Sequence, residues 1–81
     1  MMRCSVHSME KTLFDAEARR VTLRTALGET TILQDHLPIV STIVSGPVVI
    51  EDSEGNEHRY KFRAGFLEVR PESQGVVLLE S

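Results

Sequence analysis

The sequence predicts an all-β fold: a small two-sheet β-sandwich, or flattened barrel, of about eight to ten short antiparallel strands. Three observations support this. After Gly28, the glycines Gly46, Gly55, Gly65 and Gly75 follow at separations of 18, 9, 10 and 10 residues, the rhythm of turns between short hairpin-linked strands. Between them apolar and polar residues alternate with period two, as a strand with one buried face requires. The one helix-prone stretch ends without a helix stop signal.

Met2, Cys4 and Val6 share one face of a first strand. From Met9 to Arg20 the chain holds Glu10, Lys11, Leu13, Ala16, Glu17, Ala18 and Arg19, all good helix formers, so propensity alone is equally consistent with a helix. No glycine or asparagine closes it, and Arg20 runs straight into Val21 and Leu23, which share a face opposite Arg20, Thr22 and Arg24. Thr30–Leu33 and Ile39–Val44 read as two more strands. Pro47 leads a β-branched run, Val48-Val49-Ile50, and Ser53-Glu54-Gly55-Asn56 supplies a turn with two residues that tolerate positive φ. In His58–Arg63, Tyr60 and Phe62 point one way and Arg59, Lys61 and Arg63 the other. Leu67 and Val69 share a face, Pro71–Gly75 forms a turn, and Val76–Leu79 is the last strand. The predicted core is Val6, Leu13 or Phe14, Val21, Leu23, Ile32, Val40, Val48, Ile50, Tyr60, Phe62, Leu67, Val69, Val77 and Leu79.

Eighty-one residues allow one domain, residues 1–81, whose core is thin: such a chain buries only about 60% of its unfolded surface. With 9 basic and 12 acidic residues the net charge is −3, a poor match to nucleic acid. Cys4 is the single cysteine, which excludes an internal disulfide and suits a reducing compartment. The longest apolar run is the four residues Val76–Leu79, too short to span a bilayer, and the first residues are too polar for a signal peptide.

Chemistry-bearing patterns are sparse. No glycine-rich loop precedes a helix and no glycine is followed by lysine, so the phosphate-binding fingerprints are absent. Cys4 and His7, three apart on a strand, diverge, so a zinc pair is not expected and Cys4 reads as a buried apolar residue. Asp35 and His36, with Ser41 or Ser45, have the residue types of a small hydrolase but lack a nucleophile-elbow motif. Glu51, Asp52, Glu54 and Glu57 flank a turn and read as solvated charge. The row Arg59, Lys61, Arg63 could take an anion. With no aromatic among them, it reads better as a solvent face opposite acidic neighbours such as Glu51 or Glu68.

The order of segments carries more. Lys11-Thr12-Leu13-Phe14, Val21–Thr25, Gly28-Glu29-Thr30-Thr31-Ile32-Leu33, His36-Leu37-Pro38-Ile39-Val40, Gly46–Ile50, Gly65-Phe66-Leu67-Glu68-Val69 and Val76–Leu79 follow one another with compatible spacing. The series resembles the N-terminal β-sandwich domain of the ATP synthase epsilon subunit, from about Val6 to Glu80. The chain departs from that family's pattern in its turns. Thr31 replaces a loop glycine, Gln34 a loop proline and Leu37 an alanine, the Pro-Gly turn is Gly46-Pro47, and Ala64 replaces the first of two glycines.

The resemblance implies extended chain over Met9–Arg20. It implies a non-catalytic rotor subunit, without cofactor or metal, that links the gamma subunit to the c-ring of a proton- or sodium-translocating F-type ATP synthase. The expected place is peripheral, on the cytoplasmic face of a bacterial plasma membrane, touching the membrane only through the c-ring. Family members continue into a C-terminal helical hairpin that carries ATP sensing and the extended inhibitory state; both would be lacking if Ser81 is the natural terminus. By position the c-ring-facing loop would be Gly28, Glu29, Thr30, Thr31, Gln34, Asp35 and His36. Gamma-facing candidates are Ser41, Thr42, Gly46 and Pro47, within an exposed apolar patch. The alternative is a free-standing β-barrel module binding a peptide or oligonucleotide, which predicts a basic or aromatic concave face.

Overall fold

Every helix-prone residue from Thr12 to Arg20 lies in a strand. The computed structural model describes residues 2–26, 28–33, 38–44, 46–72 and 74–80. Among them run eight strands: β1 (Met2–Ser8), β2 (Thr12–Thr25), β3 (Gly28–Leu33), β4 (Ile39–Ile43), β5 (Val48–Asp52), β6 (Glu57–Tyr60), β7 (Ala64–Arg70) and β8 (Gln74–Glu80). The predicted sandwich is present.

β2 organises it. Its first half, Thr12–Ala18, pairs with β1. Its second half pairs with β3 along one edge and β5 along the other, and Thr25 pairs with Ile43 of β4. The register shifts between Ala18 and Arg20. This bulge turns Arg19 and Arg20 both outward, so that Ala18 and Val21, three apart, are both buried. The ring then closes through β1–β8, β8–β7 and β7–β4. Closure leaves few sheet edges open to other chains.

One pairing departs from the antiparallel expectation: β1 and β8 run parallel, Arg3 opposite Gln74 through Ser8 opposite Leu79. Hairpin turns force antiparallel neighbours, but no turn joins these two strands, and the rest of the chain serves as their crossover.

The core holds Met2, Cys4, Val6, Ala18, Val21, Leu23, Ile32, Ile43, Val48, Ile50, Leu67, Val69, Val77 and Leu79, with Leu13, Phe14, Ile39, Tyr60 and Phe62 half-buried against it. Val40 is the exception to the predicted set. It is 64% exposed, while Ile43 takes its place inside. Both parities of Ile39–Val44 contain apolar residues, so period two cannot choose between them. Pairing with β7 does: residues directly opposite share a face, and Ile39 and Ser41 stand opposite the core residues Val69 and Leu67. Burial pushes the Cys4 thiol up to about 12, with a smaller contribution from the charge of Asp15, so at neutral pH it is a protonated, inert core group.

The β5–β6 turn is as the sequence requires, whereas between β7 and β8 the positive φ falls on a non-glycine residue, Glu72, at 67°. In the β5–β6 hairpin, Gly55 adopts φ 88° and its N–H donates to the Asp52 carbonyl at 3.1 Å. Asp52 Oδ1 accepts from the N–H groups of Glu54 and Asn56, both at 2.9 Å.

Candidate functional site

Two surfaces stand out on the closed sandwich. The first is the outer face of β4, β7 and β8. Parity puts Val40 and Thr42 of β4, Phe66 and Glu68 of β7, and Val76 and Leu78 of β8 on one side, in register rows Thr42–Phe66–Leu78 and Val40–Glu68–Val76. Phe66 is 39% and Leu78 49% exposed. Met9, 87% exposed in the β1–β2 turn, joins Ala64, Phe66, Leu78 and Glu80 around a shallow groove of about 300 Å³. Single exposed apolar residues are ordinary; a cluster of them, here the adjacent Phe66 and Leu78 with Met9 beside the groove and Val40 on the same face, is characteristic of an interaction face. Ion pairs accompany it, Arg63–Glu80 at 3.0 Å and Arg70 with Glu68, which stands within the face, at 3.2 Å.

Thr42, a predicted gamma-facing residue, lies in this face opposite Phe66. Ser41 has the opposite parity and is half-buried opposite Leu67, its hydroxyl donating to the Thr42 carbonyl at 3.0 Å. Gly46 and Pro47 are exposed and lie beside Glu29, away from the apolar row. Sequence reasoning missed Val40, Phe66, Leu78 and Met9 as surface residues. The uninterrupted run Val76–Leu79 was the available signal, because four apolar residues in a strand put two on each face.

The second surface is the concave outer face of β3, β2, β5 and β6, enclosing about 580 Å³. Gly28 begins β3 at φ 119°, a conformation that favours glycine. Its carbonyl accepts from the hydroxyls of Thr25 and Thr30, both at 3.4 Å. Glu29 is exposed directly opposite Arg24, and Thr31 directly opposite Thr22, their hydroxyls 3.5 Å apart. Thr30 has the inward parity, opposite Leu23. Of the predicted c-ring-facing loop, Gly28–Thr31 are thus together on β3, and Gln34, Asp35 and His36 lie outside the described residues. The two surfaces adjoin along β4: Thr25 pairs with Ile43, and the Val44 N–H donates to the Arg24 carbonyl at 2.8 Å.

The chemistry-bearing patterns fall apart spatially. Cys4 is fully buried, and His7 is half-buried with Nδ1 3.2 Å from the Thr12 hydroxyl. Among the described residues no three His, Cys, Asp or Glu side chains converge as metal ligands. Asp35, His36 and Ser45 of the hydrolase reading lie outside the described residues. Arg59 engages Glu57 at 3.3 Å and Arg63 engages Glu80, whereas Glu51 and Glu68 engage Arg20 and Arg70.

The β5–β6 hairpin is tied down by Asp52. Its Oδ2 lies 2.8 Å from His58 Nε2, and the His58 ring leans on Phe14 with centroids 5.1 Å apart. The His58 hydrogen bond, then the Asn56 backbone N–H, holds the Asp52 carboxyl below the usual carboxylate range. A depressed native pKa adds stability above the unfolded value and loses it as pH falls through the native one. Asp52→Asn should therefore flatten the acid limb of stability below about pH 4, measured by urea unfolding across pH. An unaltered acid limb would remove Asp52 from the account.

Comparison with known proteins follows the same lines. Residues 1–79 match the family described as ATP synthase, Delta/Epsilon chain, beta-sandwich domain. The ATP synthase epsilon chain of Xanthomonas euvesicatoria is 34% identical over 71 residues, covering 88% of this chain and 51% of that protein. The ATP synthase epsilon chain of Chromohalobacter salexigens is 32% identical over 75 residues, 93% of this chain and 53% of that one. The chain thus spans about half the length of these relatives. Among solved structures, a chain of the Euglena gracilis mitochondrial ATP synthase assembly of OSCP, F1 and c-ring superposes with TM-score 0.87 at 18% identity, covering 99% of this chain and 51% of that one. A chain of the Tetrahymena thermophila mitochondrial ATP synthase central stalk and c-ring gives 0.81 at 15% identity, covering 99% and 63%. At such identities the likeness is one of fold.

Proposed function

Because the chain belongs to the ATP synthase delta/epsilon β-sandwich family, we propose that it is a non-catalytic part of the central stalk, linking the gamma subunit to the c-ring and supporting the coupling of ion flow to ATP synthesis. The observation that carries this is the exposed apolar row of β4, β7 and β8 on an otherwise closed sandwich. A shaft subunit docks there. Its close-packed interior resists shear, which is what transmitting torque demands. The acidic end of β3, at Glu29, faces the polar loops of the c-ring, where charge sets orientation and encounter more than affinity. The protein sits at the membrane periphery, on the cytoplasmic side in a bacterium, held there by its partners. No helix among the described residues is long and apolar enough to cross a membrane.

The direct test is reconstitution of the ATP synthase of the same organism with and without this chain. Proton- or sodium-driven ATP synthesis should fall without it, and an enzyme that assembles and synthesises equally well would end the proposal. Changing Glu29 and His36 together to lysine should weaken coupling while the thermal unfolding temperature stays put. Unchanged synthesis would show that this loop does not face the ring.

A further inference from the structure

The turn between β1 and β2 places an apolar side chain where turns ordinarily carry polar ones. Among the described residues Met9 is the most exposed large hydrophobic side chain, at 87%. Ser8 fastens the turn beneath it. The Ser8 N–H donates to the Lys11 carbonyl at 2.8 Å, and its hydroxyl donates to the same carbonyl at 3.2 Å. The hydroxyl oxygen also accepts from the N–H groups of Glu10 and Lys11, at 3.3 and 3.2 Å. The backbone is thus held while the thioether stands in solvent. Met9 borders both the groove it shares with Phe66 and Leu78 and a second hollow, of about 330 Å³, lined by Lys11, Leu13 and Glu80.

The sulfur atoms of the chain differ sharply in access. Of its three methionines and one cysteine, Met2 is 1% and Cys4 0% exposed. Met9 is therefore the accessible sulfur among the described residues. Its place beside the apolar groove gives oxidation a consequence. The groove is lined by Ala64, Gly65, Phe66, Leu78, Leu79 and Glu80, none of which has a side-chain hydrogen-bond donor. A sulfoxide oxygen there finds no partner, and the Glu80 carboxylate repels it. We propose that Met9 is a redox modification site, whose oxidation by hydrogen peroxide weakens docking of this chain on the gamma subunit. The inference rests on the rotor reading above, which supplies the partner. In the step itself, the thioether sulfur gives an electron pair to one peroxide oxygen. The O–O bond breaks, the S–O bond forms, and the other oxygen leaves with both hydrogens as water. Sulfur is oxidised and peroxide reduced. Methionine sulfoxide reductases, one for each sulfoxide epimer, reverse the change. Oxidation belongs to the free chain, because docking covers the thioether.

The test treats the full chain with dilute hydrogen peroxide, removes the peroxide with catalase, and titrates the product into the gamma subunit of the same organism. Peptide mass mapping should find Met9 oxidised while Met2 is intact. Affinity should fall by about tenfold or more, the effect of burying one unpartnered polar group. Thermal unfolding should stay unchanged, and treatment with both reductases should restore binding. Met9→Leu keeps the apolar bulk without the sulfur, so peroxide should leave its binding as it was. Met9→Gln should reproduce the loss without oxidant. If the chain carrying Met9 sulfoxide binds gamma as the untreated chain does, or if peroxide weakens Met9→Leu equally, Met9 is not a redox site of docking. If the untreated chain does not bind gamma at all, the rotor reading falls, and this inference with it.

Discussion

Phe66→Lys combined with Leu78→Glu is expected to abolish binding to the gamma subunit while leaving the sandwich folded. The two residues are directly opposed on β7 and β8, and substituting them with opposite charges keeps an attractive pair at that position, so the sheet loses little. Cross-strand pairs contribute only about 0.2–1 kcal/mol each. At an interface the arithmetic differs. Truncating a well-packed anchor costs about 2–4 kcal/mol, and burying an unpaired charge adds to that. The joint loss should exceed a factor of about 100 in affinity. Exchanging Arg63 for alanine, which breaks an exposed pair with Glu80 at 3.0 Å, should change binding by much less, since such pairs contribute about 0–1 kcal/mol. Titration calorimetry or surface-immobilised gamma reads both. Wild-type affinity in the charged double variant would remove this face from the docking surface.

Gly65→Ala is expected to be the costliest small change in the fold. A Cβ there would sit 2.7 Å from Cδ1 and Cγ1 of Ile43 and 2.9 Å from the Leu78 carbonyl oxygen. The oxygen belongs to the paired backbone of β8, and Ile43 is only 3% exposed, so neither yields easily. Overpacking of this kind costs about 1–3 kcal/mol. At roughly 4–8 °C per kcal/mol for a domain of this size, the melting temperature should drop by roughly 5–20 °C. Ile43→Val removes Cδ1 and should recover part of the loss in the double variant, a coupling that independent sites would not show. Gly75→Ala is the control. It also lies in a strand, β8, but nothing stands within 4 Å of its added Cβ, and it should be nearly neutral. Equal melting temperatures for wild type and Gly65→Ala would contradict the packing described for β4 against β7.

Much of the fold was legible because its signals are local. The alternation in β1 and in the second half of β2, the turn at Ser53–Asn56 and the inward set Leu67 and Val69 all follow from neighbours within a few residues. What was not legible depends on partners far along the chain. Val40 reads as core by composition, and only its pairing opposite Glu68 turns it outward. The parallel β1–β8 contact joins strands about 70 positions apart, beyond the reach of any turn rule. The same holds for the functional surfaces. Glu29 was placed by resemblance in the order of segments, not by its own surroundings. The apolar row needs β4, β7 and β8 side by side. Arg24 and Arg59 share a face only because β5 lies between β2 and β6. The ionic partners of Arg59 and Arg63 were misassigned for the same reason: a residue's cross-strand neighbour is set by strand order, which the sequence pattern does not contain.

A photoreactive amino acid placed at position 78 in this chain, within the intact membrane-bound ATP synthase of the same organism, addresses the proposed role at its root. Leu78 stands in the exposed row directly opposite Phe66 and is 49% exposed, so irradiation should join the chain to the gamma subunit in high yield. Joining to other proteins or to none, with this chain absent from the purified complex, would mean that the sandwich serves elsewhere.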